Sequence, residues 1–263
     1  MLPLNQSFTI VERAEDFAVT AAGKIAALLG NSGDKLHLIS LSGGSTPFPV
    51  YKKLAGILAA DGTASLCHWI QTDERLVSAD DERSNQRSIK NSLFIDGLLP
   101  LQSFLAAPTG LEGAKQSPAS FERICQNYYQ KLMTLPESLR PPAPIDLVIL
   151  GVGVDGHTAS LFPDTDWQNR TSETGFAVFT PDSQPEPRLS LTLERIMQAH
   201  EIVFLVNGAT KQPVLQKIFF DASFASPAAF ITRSRRAHWV IGRESADDRL
   251  ASFARQTNPQ NFK

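Results

Sequence analysis

The chain has 263 residues, of which 42% are hydrophobic and 20% charged, and its formal net charge is −2. This composition is typical of a globular protein with a large core. A net charge near zero argues against nucleic acid or an anionic membrane surface as the main partner. No apolar run approaches the ~20 residues of a membrane span, and the amino terminus lacks the pattern of a secretory signal, so we expect a cytoplasmic protein.

Apolar spacing and turn residues predict the secondary structure of the first half of the chain. The predicted elements are a helix over 11–29, a strand over 37–41, a helix over 48–60, a strand over 66–71, a helix over 85–94, a strand over 104–107 and a helix over 121–135. Ser84 precedes the third of these helices and is a suitable N-cap residue.

The second half continues the alternation of strands and helices. Its predicted elements are strands over 145–150, 176–179, 188–192, 201–206 and 237–241 and helices over 158–162, 193–199 and 209–220. The polar tail from Asp247 is expected to be peripheral. Strands that alternate with helices throughout predict an α/β fold: a single doubly wound domain over residues 1–263, with a mostly parallel central sheet flanked by helices.

A glycine-rich turn lies between the strand at 37–41 and the helix at 48–60. Its residues are Ser42, Gly43, Gly44, Ser45 and Thr46. Backbone N–H groups in such a turn converge on an anion, and the positive end of the following helix points at the same place. The turn therefore predicts a phosphate-binding site; a flexible turn with an N-cap serine is the alternative.

Charged residues at two other places are also candidates for a site. Asp73, Glu74 and Arg75 follow the strand at 66–71. A solvated loop is the commoner explanation of such a run, and side chains held at the sheet edge are the alternative. Lys211 lies in the first turn of a predicted helix, where a cation is unfavourable for the helix dipole unless an anion is held nearby. A solvated lysine is the alternative there.

The stretch 151–163, GVGVDGHTASLFP, is the most distinctive in the chain. Its glycines allow a sharp turn and the close approach of a ligand. Asp155 and His157 lie in this turn at the carboxyl end of a strand, where open α/β sheets bind ligands. Imidazole titrates near neutral pH, which suits a general base. Simple turn chemistry for Asp155 and helix capping by His157 are the alternatives.

The cysteines and histidines give no indication of a metal or redox site. Cys67 and Cys125 are far apart and form no Cys-x-x-Cys motif, so we expect two buried, reduced thiols. The five histidines show no ligand spacing with each other or with cysteine. We therefore expect no metal and no cofactor.

Four stretches together resemble the 6-phosphogluconolactonases, and they occur in the same order. They are SGGSTP at 42–47, TDER at 72–75, GVGVDGHTASLFP at 151–163, and RLSLT with NGATK between 188 and 211. These enzymes hydrolyse 6-phospho-D-glucono-1,5-lactone in the oxidative pentose phosphate pathway. The resemblance covers most of the chain and implies a Rossmann-like sheet of the sugar-phosphate isomerase type. We expect a monomer or small homo-oligomer.

The resemblance implies a role for each candidate residue. His157 would take a proton from water, and Asp155 would orient its imidazole or hold a substrate hydroxyl. Arg75 would face the developing negative charge, and Asp73 would orient Arg75 or bind sugar hydroxyls. The phosphate would lie in the turn at 43–46, with two cations closing over it, Arg188 and Lys211.

Two other functions remain open at this point. The related glucosamine-6-phosphate deaminases share a similar Asp-Gly-His turn, but they follow it with Asn-Glu-Pro where this chain has Leu161-Phe162-Pro163. They also carry Asp-Glu-Tyr in place of Asp73-Glu74-Arg75. Both differences favour the lactonase. A sugar-phosphate sensor without catalysis is the other alternative, and the presence of both Asp155 and His157 argues against it.

Overall fold

A computed structural model describes residues 6–30, 34–109 and 116–257, and its ten strands form two sheets. The strands are β1 (Ser7–Val11), β2 (His37–Leu41), β3 (Cys67–Gln71), β4 (Asp73–Arg75), β5 (Phe104–Leu105), β6 (Leu147–Leu150), β7 (Phe176–Phe179), β8 (Arg188–Leu191), β9 (Glu201–Val206) and β10 (His238–Gly242). Seven of them form a parallel sheet in the order β1-β10-β9-β6-β2-β3-β5.

Helices cover both faces of this parallel sheet. They are α1 (Phe17–Leu29), α2 (Pro47–Asp61), α3 (Asn85–Leu93), α4 (Pro118–Leu132), α5 (Leu193–Met197), α6 (Gln212–Phe220), α7 (Pro227–Ser234) and α8 (Asp248–Thr257). Successive strand residues point to opposite faces, so Leu38 belongs to the core that contains α4, α6, α7 and α8. Ile39 belongs to the core that contains α1, α2 and α3. The predicted α/β fold is confirmed.

The second sheet is antiparallel, in the order β4-β8-β7. The segment 73–75 is therefore a strand and not a solvated loop. Its register sets Asp73 opposite Ser190 and Arg75 opposite Arg188. This pairing brings charged residues from distant parts of the chain to one end of the parallel sheet.

The helix predicted over 158–162 is wrong. Thr158 and Leu161 instead exchange backbone hydrogen bonds of 3.4 and 3.0 Å, and Ala159 between them has a left-handed φ of 51°. The hydroxyl of Thr158 donates to the carbonyl of Gly151 (2.8 Å) and that of Ser160 to the carboxylate of Asp73 (2.7 Å). Side-chain bonds of this kind compete with helix formation and stabilise the tight turn.

Three further differences lie near the ends of the chain. Residues 7–11 form β1, so the helix predicted from residue 11 begins only at Phe17. The helix α7 was not predicted. The tail from Asp247 is not peripheral, since it contains α8, whose buried Leu250, Ala251 and Ala254 pack beside β1. Within the described residues, no helix has the length and hydrophobicity that crossing a bilayer requires.

Candidate active site

A cleft of about 490 Å³ opens at the carboxyl ends of β2, β6 and β9. Strand order reverses between β2 and β6, because the chain continues from β2 to β3 on one side and from β6 to β9 on the other. Such a reversal leaves a crevice in which α/β proteins bind ligands. Of the predicted site residues, the cleft is lined by Ser42, Gly43, Gly44, Ser45, Thr46, Asp73, Arg75, His157, Arg188 and Lys211.

Asp155 does not line the cleft but bonds to the histidine that does. Its Oδ1 lies 2.6 Å from Nδ1 of His157 and also accepts the backbone N–H of His157 at 3.1 Å. A carboxylate at Nδ1 favours the tautomer with its proton there, which leaves Nε2 as an acceptor. Burial alone would raise the pKa of Asp155, but the hydrogen bond and charge of His157 bring it below its ordinary value.

Glycine at position 153 makes this pair fit. A Cβ atom there would overlap the imidazole of His157 and lie 2.6 Å from Oδ1 of Asp155. Gly153 also donates its N–H to the carbonyl of His157 at 2.9 Å, and Gly156 donates to the carbonyl of Gly153 at 3.0 Å. The turn therefore closes on itself with the aspartate and the imidazole packed against its backbone.

The cleft is also lined by the glycine-rich turn before α2. Among the described residues, no acceptor takes the backbone N–H groups of residues 43–46. Gly44 has a φ of 104°, a conformation that glycine adopts readily. Free N–H groups in front of a helix form a site for an anion.

Three cations surround the same space. Arg75 and Arg188 lie side by side across β4 and β8, and the Nε atom of each is buried without a hydrogen-bond partner among the described residues. Arg188 is only 6% exposed, and this burial lowers its pKa. The side-chain ammonium of Lys211 forms no hydrogen bond or close ion pair with any described residue; burial lowers its pKa and the Asp155 carboxylate opposes the change. The cleft is thus prepared for an anionic ligand.

The charges of the segment 73–75 separate because strand residues alternate. Asp73 and Arg75 line the cleft, whereas Glu74 is fully buried on the other side of β4. Glu74 accepts the backbone N–H groups of Asn85 and Gln86, at 2.8 and 2.7 Å, and so caps α3. Neither oxygen of Asp73 bonds to Arg75 within the described part of the chain.

Sequence reasoning missed several residues of the cleft, among them Asn85, Asn207 and Thr210. The Nδ2 atom of Asn85 donates to the carbonyl of Asp73 at 2.9 Å, and the amide packs against Gly43. Ser84 was correctly predicted to cap this helix, since its Oγ accepts the N–H of Arg87 at 3.3 Å. The sequence could have indicated Asn85, because it begins a predicted helix that follows the charged segment 73–75. It could also have indicated Asn207, because this residue directly follows a strand, as the glycine-rich turns at 42–46 and 151–156 do.

Comparison with known proteins gives one consistent family. A family model described as glucosamine-6-phosphate isomerases/6-phosphogluconolactonase matches residues 11–239. A 6-phosphogluconolactonase of Synechocystis sp. is 32% identical over 241 residues, which are 91% of this chain and 93% of that protein. Among solved structures, the 6-phosphogluconolactonase of Thermotoga maritima has a TM-score of 0.72 at 27% identity, covering 90% of this chain and 100% of the other. That of Trypanosoma brucei has a TM-score of 0.75 at 26% identity, covering 91% and 97%.

Proposed function

Because the chain belongs to the glucosamine-6-phosphate isomerase/6-phosphogluconolactonase family, we propose that it hydrolyses 6-phospho-D-glucono-1,5-lactone to 6-phospho-D-gluconate in the oxidative pentose phosphate pathway. One observation carries this proposal. The cleft is lined by a carboxylate-bound imidazole, by free backbone N–H groups and by the guanidinium of the buried Arg188. Groups suited to water activation and to phosphate binding are thereby supplied in one space.

His157 acts as the general base. Its Nε2 accepts a proton from water while the water oxygen bonds to C1 of the lactone, and Asp155 stabilises the imidazolium that results. When the bond between C1 and the ring oxygen breaks, the imidazolium returns the proton to that oxygen. The products are a hydroxyl at C5 and a carboxylic acid, which ionises at neutral pH. General-base help of this kind contributes roughly 10²- to 10⁴-fold in rate.

Arg75 faces the negative charge that develops on the carbonyl oxygen. Its guanidinium is held by a hydrogen bond to the carbonyl of Arg83, and a fixed cation stabilises an oxyanion without reorganising. Asp73 binds sugar hydroxyls. Ser160 occupies its Oδ2 at 2.7 Å, and an ionised carboxylate has further acceptor positions for a ligand.

The phosphate binds in the turn at 43–46, between Arg188 and Lys211. Free N–H groups and a buried guanidinium both form strong hydrogen bonds to phosphate oxygens. Binding of the phosphate, which is remote from the reacting carbon, positions C1 at His157. Phosphate binding therefore contributes to turnover as well as to affinity.

Replacing the base tests the catalytic assignment. His157→Ala should lower kcat about 10²- to 10⁴-fold and leave the circular dichroism spectrum unchanged. The assay follows loss of 6-phosphogluconolactone against a buffer blank, because the lactone also opens unaided. His200→Ala, which removes an exposed histidine outside the cleft, is the matched control and should behave as wild type. Full activity in His157→Ala would remove the proposed base.

Replacing a cleft lysine tests the phosphate assignment. Lys211→Ala should lower kcat/KM for the phosphorylated lactone by about 10- to 100-fold, the effect of one charge-assisted hydrogen bond, and raise KM. The same substitution should change the rate with unphosphorylated glucono-1,5-lactone far less, because that lactone has no phosphate for Lys211 to hold. Lys217→Ala is the matched control, because Lys217 is exposed on α6 and outside the cleft. Unchanged kcat and KM in Lys211→Ala would place the phosphate elsewhere.

The competing functions predict different assay results. Release of ammonia from glucosamine 6-phosphate would identify a deaminase; against this, the turn ends in the fully buried apolar pair Leu161 and Phe162. Binding of 6-phosphogluconate without lactone turnover would identify a sensor.

We also infer a cytoplasmic enzyme that works as a monomer or small homo-oligomer. Cys67 and Cys125 are free and buried, which fits a reducing compartment.

A further inference from the structure

The side chain of Phe162 lies behind the cleft and contacts two residues that line it. It is 1% exposed. Its ring stacks on the imidazole of His157, with centroids 4.2 Å apart and planes inclined at 28°. The guanidinium carbon of Arg188 lies 5.4 Å from the centre of the same ring. We propose that Phe162 is a positioning residue, which holds both the imidazole of His157 and the guanidinium of Arg188 in working orientation. This inference rests on the proposed function.

The imidazole needs this support because its hydrogen bond leaves it partly free. Asp155 fixes Nδ1 at 2.6 Å, but a single hydrogen bond still allows the ring to tilt by small changes of χ1 and χ2. Stacking on Phe162 fixes the plane and therefore the direction of Nε2. The ring face also attracts the imidazolium that forms during reaction. Besides Asp155, the charged side chains of Lys211 and Arg188 line the cleft together with this imidazole.

Arg188 needs the ring because anionic and polar groups outside the cleft compete for its guanidinium with the carboxylate of Asp73, which lines the cleft. Its Nη2 donates to Oε1 of Gln184 and lies 3.7 Å from Oε1 of Glu186, while its Nε has no hydrogen-bond partner in the described part of the chain. Without an aromatic face beneath it, the guanidinium would turn toward Glu186. A cation over a ring face keeps its planar donors directed outward.

The turn at 158–161 explains how one ring reaches both residues. In an α-helix, positions 157 and 162 would point about 140° apart around the axis. The two backbone hydrogen bonds between Thr158 and Leu161, with Ala159 left-handed, reverse the chain so that the two rings meet. The antiparallel sheet then supplies Arg188 from β8.

The experiment compares two stacked phenylalanines. Phe162→Leu should lower kcat about 10- to 100-fold, as expected when a base is displaced, and raise KM about twofold to fivefold as the support of Arg188 is lost. Phe104→Leu is the matched control, because Phe104 is also buried and stacks on Phe94 (5.4 Å, 24°) but lies on β5 outside the cleft. It should lose similar thermal stability and keep wild-type kcat and KM. If Phe162→Leu does not fold, Phe162→Met replaces it with a similar volume.

A double variant distinguishes an effect of Phe162 through Arg188 from a non-specific loss of core packing. If Phe162 acts on the phosphate through Arg188, then KM of Phe162→Leu combined with Arg188→Ala should equal that of Arg188→Ala alone. Kinetics of Phe162→Leu indistinguishable from those of Phe104→Leu, or multiplicative effects on KM in the double variant, would overturn the inference.

Failure of the proposed function would give a different result. A wild-type protein with no lactonase activity above the blank would remove that function. The inference would then be decided by calorimetry with inorganic phosphate, which should bind more weakly to Phe162→Leu than to Phe104→Leu. Equal binding would overturn it.

Discussion

At the scale of single residues, Gly153 controls how closely the backbone approaches the Asp155–His157 pair. Its φ lies outside the left-handed region, so the backbone itself accepts a larger residue. The restriction is steric, because a Cβ would occupy the position of the imidazole and press on the carboxylate. A substitution at Gly153 should therefore lower activity while leaving the fold intact.

Gly153→Ala should lower kcat about 10²-fold, the size of effect expected when catalytic groups move by ~1 Å, with little change in the melting temperature. Gly56→Ala provides the control, because Gly56 lies inside α2 with no atom within 4 Å of an added Cβ. It should keep full activity and gain up to about 1 kcal/mol of stability. A kcat for Gly153→Ala within twofold of wild type would contradict the steric argument.

The residues of the site were predictable from sequence only where their contacts are local. Asp155 and His157 are two positions apart, so a glycine-rich turn was enough to suggest that they act together. Distances were needed to show that Asp155 binds the imidazole. The bond between Ser160 and Asp73 joins positions 87 residues apart, and no local pattern indicates it.

At the scale of elements, the alternation of side chains along β4 places the neighbouring carboxylates of Asp73 and Glu74 on opposite sides of the strand. Asp73 faces the cleft, and Glu74 receives the first N–H groups of α3. Glu74 also accepts hydrogen bonds from Nε2 of Gln71 at 2.7 Å and from Oγ of Ser84 at 3.2 Å. All these partners are donors, so both carboxylate oxygens are required as acceptors.

Glu74→Gln should reduce the free energy of unfolding by about 1–3 kcal/mol, because the amide nitrogen would leave a buried backbone N–H without an acceptor. Urea unfolding at pH 7 measures the change. Glu82→Gln is the control, since Glu82 is exposed in the loop between β4 and α3. This variant should unfold at the wild-type urea midpoint. Equal midpoints for the two variants would show that α3 does not depend on this cap.

Elements were predictable where hydrophobic periodicity decides them and not where distant pairing does. The apolar runs at 37–41, 176–179 and 201–206 were assigned correctly, because each is bounded by turn residues. β1 was missed, and it is held by β10 from the far end of the chain. The antiparallel sheet likewise depends on the pairing of Arg75 with Arg188, which a one-dimensional pattern does not contain.

At the scale of the whole molecule, each face of the parallel sheet has one buried thiol. Cys67 lies in the core with α1, α2 and α3, and Cys125 lies in the core with α4. Burial raises the pKa of each to about 12. The two thiols therefore report separately on the two cores, and they test our proposal that residues 1–263 form one domain.

Both thiols should resist a disulfide reagent such as DTNB at pH 8 and become reactive at the same urea concentration, as in cooperative unfolding of one domain. The free energy of unfolding should be unaffected by them below pH ~8.5, the ordinary thiol pKa. It should fall as the pH rises toward about 12, because the unfolded chain then releases protons that the folded chain keeps. Reaction of one thiol at a clearly lower urea concentration than the other would show two domains that unfold separately.

The machinery is distributed unevenly along the chain. Asp155 and His157 belong to a single turn, whereas Arg75, Arg188 and Lys211 come from three segments that meet only in the folded protein. Substitutions at these three positions can therefore change the anionic group that a ligand must carry without removing the hydrogen bond between Asp155 and His157. Redesign toward neutral lactones would begin at the three cations.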